Sequence, residues 1–360
     1  MLYELLYSLH DYFSPFNVFR YITFRTALAA LTALMITFVI APHFIRWLRK
    51  ISMIQQIRDD GPATHLSKAG TPTMGGIIIL TAITVSMLMW GNFRNIYIWV
   101  MMISLLGFGA IGFTDDYLKN VKKSPKGLKA RYKFGAQMAL ALIISIFLYA
   151  NPADPYTTVL SIPFFKKWLF DIGLFYIPFS IFVIVGSSNA VNLTDGIDGL
   201  AIGLVAIATL ATGALTYLSG HAQFARYLQV IYLPGTGELT VFCGALIGAA
   251  LGFLWYNAYP AEVFMGDVGS LGLGGALGTL AVITKHEIVL AVVGGIFVIE
   301  TISVILQVAS FKLTGNRVFK MAPIHHHFEL KGWSEPKVIV RFWIIGIILA
   351  LFSLATLKLR

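Results

Sequence analysis

The sequence predicts an all-α polytopic integral membrane protein of about ten transmembrane helices, and three observations carry that expectation. Of the 360 residues, 57% are hydrophobic and 12% charged, about half the charged share of a soluble domain. Mostly apolar runs near 20 residues, the length that crosses hydrocarbon as a helix, recur from one end to the other. The alternating strands of a membrane barrel are absent. These features exclude an ordinary cytosolic enzyme, a disordered chain and a secreted disulfide scaffold. The one cysteine, Cys243, has no partner for an internal disulfide. Thirty-three glycines suit close helix packing in lipid. The net charge of +10 reads as loop bias on so apolar a chain, not as nucleic-acid binding.

The chain reads as a single transmembrane domain over 1–360. Its spans are expected at about 26–45, 72–90, 96–114, 134–150, 172–190, 200–218, 239–257, 268–284, 288–309 and 338–357. The N-terminus lacks a basic region followed by a small-residue cleavage site, so no removed signal peptide is expected. Lys and Arg sort the loops. The 46–71 loop carries five, including Lys68; 115–133 carries seven, and 310–337 carries five. The loops 91–95, 151–171, 219–238 and 285–287 carry one or two each. The positive-inside rule makes the three rich loops cytoplasmic and puts both termini outside. Alternation also places 191–199 and 258–267 inside, although neither contains Lys or Arg. They hold Asp195, Asp198, Glu262 and Asp267. Carboxylates beside a span in a nearly uncharged protein are costly unless they bind something.

Four motifs on that face carry chemistry. Asp115-Asp116 closes the third span, with Lys119 four residues after Asp115. Adjacent carboxylates repel unless a cation lies near, and Mg²⁺ binds through one or two carboxylates plus phosphate oxygens. The bland alternative is a pair of solvated groups at a helix end. The run Asn189 to Leu200 brings Asn189, Asn192, Asp195 and Asp198 together with two glycines. Such residues read polar ligands or make a plain turn. In Asn257 to Ser270, Asp267 suits a metal ligand or a helix N-cap, and Phe264 suits base stacking or packing. The run Ala322 to Gly332 holds His325, His326 and His327. Consecutive side chains diverge, so one zinc is not expected; imidazoles suit phosphate contacts or proton transfer. Lys68 and Thr73 lie at the mouth of the second span, where Lys68 binds phosphate or snorkels. Glu300 lies inside the ninth span and is left out of the expected site. Metal-binding acids, bases and histidines on one membrane face suit transfer between a phosphate-bearing lipid and a soluble phosphate-bearing donor.

These residues resemble a known family. Asn189–Leu200, Asp115-Asp116 and Phe264–Ser270 look like the polyprenyl-phosphate N-acetylhexosamine-1-phosphate transferases. Ala322–Gly332 and Lys68–Gly76 are similar to the phospho-N-acetylmuramoyl-pentapeptide transferase branch, over nearly the whole chain. The resemblance implies attack of undecaprenyl phosphate on the β-phosphorus of UDP-MurNAc-pentapeptide, with Mg²⁺, giving lipid I and UMP. It further implies a bacterial inner-membrane protein with periplasmic termini, a cytoplasmic active site and a homodimer. By resemblance, Asp267 ligates Mg²⁺, while Asp115 and Asp116 form the lipid-phosphate and base pair, with a share of the metal left open to them. Asn189, Asn192, Asp195 and Asp198 line the uridine-diphosphate region, with Phe264 near uracil and Asn257 in the substrate site. Lys68, Thr73, Lys119, Lys129 and the three histidines hold phosphates or sugar.

Rival readings are a sister transferase acting on UDP-GlcNAc, an ion-coupled transporter and a membrane scaffold. Transporters place acids at midplane on broken helices, often within inverted repeats. Here the acids cluster at one face, and no repeat is evident. A scaffold gives no reason for the Asp/Asn/Gly run.

Overall fold

A computed structural model describes residues 2–51, 70–122, 127–152, 155–163 and 168–357. The helices are α1 (Leu2–Ser8), α2 (Ile22–Lys50), α3 (Gly76–Trp90), α4 (Ile96–Asn120) and α5 (Ala130–Ala150). Then come α6 (Tyr176–Thr194), α7 (Leu200–Ser219), α8 (Ala222–Leu228), α9 (Leu239–Asn257) and α10 (Gly266–Thr284). The chain closes with α11 (Glu287–Val293), α12 (Gly295–Thr314), α13 (Ile324–Glu329) and α14 (Glu335–Ala355). Nine helices among the described residues are long and apolar enough to cross a membrane. The all-α polytopic expectation stands.

Three elements differ from the sequence expectation. The second span is a 15-residue helix that starts at Gly76, not at 72. Residues 72–76 instead pair with the segment before α10: Phe264 N donates to Pro72 O, Gly75 N to Phe264 O and Gly76 N to Met265 O, each at 2.8 Å. Pro72 has no N–H to offer a helix. The ninth span is interrupted at Gly294, so α11 and α12 replace one continuous helix. The segment 151–171 forms a two-stranded antiparallel hairpin, β1 (Val159–Ser161) and β2 (Leu169–Asp171), with Leu160 opposite Phe170.

The core is built on α10, in which every residue from Val268 to Thr284 is buried. It lies against α4 and α6. Lipid tails are as apolar as the helices, so close packing, not hydrophobic burial, must hold such a pair. A Cβ at Gly112 of α4 would lie 2.1 Å from the carbonyl oxygen of Asp267. Only glycine permits that approach, and it brings the end of α4 onto the start of α10. By contrast, α12 buries only Ile296, Phe297, Glu300 and Ser303 and exposes Ile305, Leu306, Val308, Phe311 and Leu313.

The bundle end opposite the Asp motifs is tied by structural charge pairs. Buried Arg25 donates to both oxygens of Glu238 at 2.8 and 2.7 Å and stacks 4.0 Å over the Tyr3 ring. Glu287, buried at the start of α11, accepts from the Tyr176 hydroxyl. Lys285 sits 3.9 Å over the Tyr176 ring and donates to Thr157 O at 2.6 Å. Burial pushes the Glu287 carboxyl up to about 7, against the pull of Lys285 and Tyr176. In the unfolded chain this group ionises near its ordinary 4.5, so folding holds a proton that unfolding releases as pH rises between the two values. We expect melting of the detergent-solubilised protein to fall relative to Glu287→Gln from about pH 4.5 to 7. The difference should level off above that window. Parallel curves across the range would contradict this.

Candidate active site

The acids converge where three helix ends meet. Asp115 and Asp116 occupy the last turns of α4, Lys119 follows one turn later, and Lys133 lies in the first turn of α5. Gly266 opens α10 with φ +73°, a conformation suited to glycine. That turn places Asp267 in the first turn of α10, where the helix dipole favours a carboxylate. Lys119 Nζ lies 2.8 Å from Asp115 Oδ2 and 3.1 Å from Asp267 Oδ2. Lys133 Nζ lies 3.0 and 2.6 Å from the same two oxygens. Two ammonium groups thus bridge two carboxylates from different helices. Leu128 N donates to Asp115 Oδ1 at 2.7 Å and Val268 N to Asp116 Oδ2 at 3.2 Å. The Asp116 Oδ2 and Thr73 Oγ1 atoms both face Gly266.

Asn192 completes the cluster from α6, donating 2.8 Å bonds to Asp267 Oδ1 and Ser270 Oγ. Its neighbour Asn189, one turn earlier, bonds Gln137 Oε1 and Val185 O instead, each at 2.8 Å. It therefore joins α6 to α5 and does not reach the acids. Asp195 stands half-buried just beyond α6. Burial, with Asp267 and then Asp198 nearby, pushes its carboxyl up to about 8. Asp198 and Asn257 brace the loops. Asp198 Oδ2 accepts from Ala261 N at 2.9 Å, and its own N–H donates to Glu335 Oε1 at 2.9 Å. Asn257 accepts from Gly199 N at 3.1 Å and donates to Val263 O at 2.9 Å. Phe264 is half-buried, its backbone paired with Pro72 and Gly75.

The histidines point three ways, as consecutive residues on a short helix must. His325 is fully buried, 3.1 Å from Glu300 Oε2. His326 Nδ1 lies 2.7 Å from Glu329 Oε2. His327 Nδ1 accepts from Lys320 N at 3.1 Å. Desolvation, with Lys331 and Lys320, holds the His327 imidazole below its usual range. Glu300, left out of the expected site, contacts the histidine segment directly. Lys129 is exposed and precedes α5 by one residue; Lys133 occupies the bridging position. Lys68 lies outside the described residues. Sequence reasoning also missed Ser270 and Glu335. Lys133 is one of the seven basic residues of its loop and was given no role of its own, although it stands one helical turn after Lys129.

Among the described residues no three His, Cys, Asp or Glu side chains form a metal cage of their own. The donor set does suit a hard cation held by one or two carboxylates and completed by phosphate oxygens and water. Asp267 and Asp115 already share two cationic groups, which shows that this position is built to hold positive charge.

Among the described residues, a bundle of apolar helices gathers this charge chemistry at one end. Residues 97–285 match the family model described as Glycosyl transferase family 4. Residues 68–80 match the Phospho-N-acetylmuramoyl-pentapeptide-transferase signature 1. A curated relative from Thermodesulfovibrio yellowstonii, described as a phospho-N-acetylmuramoyl-pentapeptide-transferase, is 72% identical over 361 residues, all of both chains. Relatives so described from Syntrophus aciditrophicus and Desulfosudis oleivorans are 57% and 58% identical over the same full extent. The chain belongs to the phospho-N-acetylmuramoyl-pentapeptide transferase family.

The lysine bridge separates Lys133 from Lys129. We expect Lys133→Met to lower transferase turnover by about 100-fold or more, as loss of one aligned charge does in other enzymes. Lys129→Met, an exposed surface change, should stay within about threefold. Equal losses would remove Lys133 from the site.

Proposed function

We propose that this chain transfers phospho-N-acetylmuramoyl-pentapeptide from UDP-MurNAc-pentapeptide to undecaprenyl phosphate, releasing UMP and forming lipid I. The observation that carries this reading is the Asp115–Lys119–Lys133–Asp267 bridge, closed by Asn192 at the end of the bundle. The description shared by full-length relatives supports the choice of sugar. The proposal includes a bacterial inner-membrane setting, a cytoplasmic site, periplasmic termini and assembly as a homodimer.

The chemistry asks little of a base. The acceptor phosphate is largely ionised at neutral pH, so one of its oxygens attacks the β-phosphorus directly. The bond from that phosphorus to the bridging oxygen breaks, and the electron pair leaves with UMP. Positioning and charge neutralisation supply most of the catalysis in such a transfer. Lys119 and Lys133 supply fixed positive charge where the two phosphates meet. Mg²⁺, when bound, neutralises diphosphate charge. Asp267 would hold it, with Asp115 and Asp116 sharing the metal or orienting the lipid phosphate. Asn192 orients Asp267 through its 2.8 Å bond. Asp195, pushed up to about 8, carries a proton at neutral pH and so can donate to a polar ligand. Phe264, Thr73, Asn257, Asp198 and Asn189 shape the nucleotide side, with Lys68 reaching phosphate or sugar. His325, His326 and His327 complete the sugar side.

Purified protein with Mg²⁺ and undecaprenyl phosphate should release UMP from UDP-MurNAc-pentapeptide and not from UDP-GlcNAc. Release from UDP-GlcNAc alone would favour the sister transferases. Asp267→Asn should remove activity to background while the protein still elutes as a folded species in detergent. Retained turnover would sink the metal assignment. Cysteines introduced after 120 and after 330 should react with an impermeant label only from the cytoplasmic side. Reaction from outside would reverse the topology.

A further inference from the structure

We propose that Glu300 is a positioning residue of the transfer reaction, acting through His325 to hold the histidine segment against the Asp195–Asp198 loop. This rests on the function proposed above. Glu300 and His325 are each 0% exposed and lie 3.1 Å apart, Oε2 to Nδ1. Neither oxygen of Glu300 and neither ring nitrogen of His325 has a hydrogen-bond partner among the described residues, so the 3.1 Å charge contact is what meets both groups. Burying a carboxylate in a membrane bundle without a partner is costly, so each group here depends on the other.

The other edge of the same ring meets the Asp loop. A Cβ at Gly196 would fall 2.3 Å from His325 Nε2, so the imidazole occupies the space a side chain would fill. Gly196 directly follows Asp195, whose carboxyl is influenced by Asp267. On the remaining side, the His325 and His326 rings stand 4.1 Å apart between centroids. One buried imidazole thus touches the loop after α6, the next histidine and α12.

The segment needs such a pin. The helix α13 has six residues, far too few to be stable alone. It lies against α12, which buries only Ile296, Phe297, Glu300 and Ser303. Glu300 is the single ionisable group on that narrow buried face, and it contacts the segment that carries the histidines. Removing its charge should loosen His325 first and His326 with it, leaving the Asp–Lys bridge intact.

A double-mutant cycle on turnover tests this. Glu300→Gln keeps shape and hydrogen-bonding capacity. It should lower kcat by about 10- to 100-fold, the range seen when a carboxylate that orients a histidine is lost. KM for the UDP-sugar should move less than about threefold, because the nucleotide contacts on α6 and α10 are untouched. In a His325→Gln background the same change should cost less than about twofold. Independent, multiplicative losses would overturn the proposal, as would a loss expressed wholly in KM. Should Glu300→Gln alone not fold, the Glu300→Gln/His325→Gln pair presents two neutral amides in one site. It should elute as folded protein with the turnover of His325→Gln alone, and a further drop would overturn the proposal. All variants are compared on the UDP-sugar that the wild type turns over, so a wrong donor assignment leaves the cycle readable.

Discussion

Two lysines bridging two aspartates make the junction on which the rest of this bundle depends. Asp115 belongs to the end of α4 and Asp267 to the start of α10, and Lys119 and Lys133 bind both. Those helix ends meet because Gly112 lets one backbone touch the other. Isolated carboxylates at such depth would be expensive; shared ammonium groups make the arrangement stable. The balance also leaves room for chemistry. Asp115 and Asp267 are matched by the two ammonium groups, while Asp116 adds a third carboxyl whose Oδ2 takes the Val268 N–H, so a cation would find a further oxygen donor there. A divalent cation added to that balance leaves net positive charge, and a phosphate is favoured. Cation and phosphate are therefore expected to enter the cluster together.

The two ends of the bundle use charge differently. At the far end, Arg25 with Glu238 and the Glu287–Tyr176–Lys285 group satisfy one another inside the fold. They tie α2, α6 and α11 to their neighbours. At the near end the pairs are shared among more than two groups, and burial with its acidic neighbours pushes the Asp195 carboxyl up to about 8. Groups that are mutually satisfied hold the structure; groups in an unequal balance can accept a ligand.

Much of this was legible in the sequence. Hydropathy located the spans because lipid demands about 20 apolar residues wherever the chain crosses. Asp115, Asp116, Lys119, Asn192 and Asp267 stood out as polar groups at span ends, and they do meet. What stayed hidden depended on geometry between distant residues. Lys133 could not be told from the other cations of its loop until α5 was seen to start at Ala130. Glu300 and His325 lie on different helices, and nothing local couples them. The placement of Asn189 was hidden too, because its motif is contiguous, yet one helical turn separates it from Asn192 and directs its amide to Gln137. The break at Gly294 was hidden within an uninterrupted apolar run.

A cluster that shares its charges in this way is expected to take up cation and diphosphate cooperatively, which metal binding can test. Mn²⁺, a spectroscopic stand-in for Mg²⁺, can be titrated into detergent-solubilised protein by electron paramagnetic resonance with and without saturating UDP. Coupling between sites of this kind is typically about 1–3 kcal/mol, or about 5- to 150-fold in affinity. The account predicts weak Mn²⁺ binding alone and a gain of that order with UDP, beyond what UDP binds free in solution. Equal Mn²⁺ affinity in both conditions would contradict it.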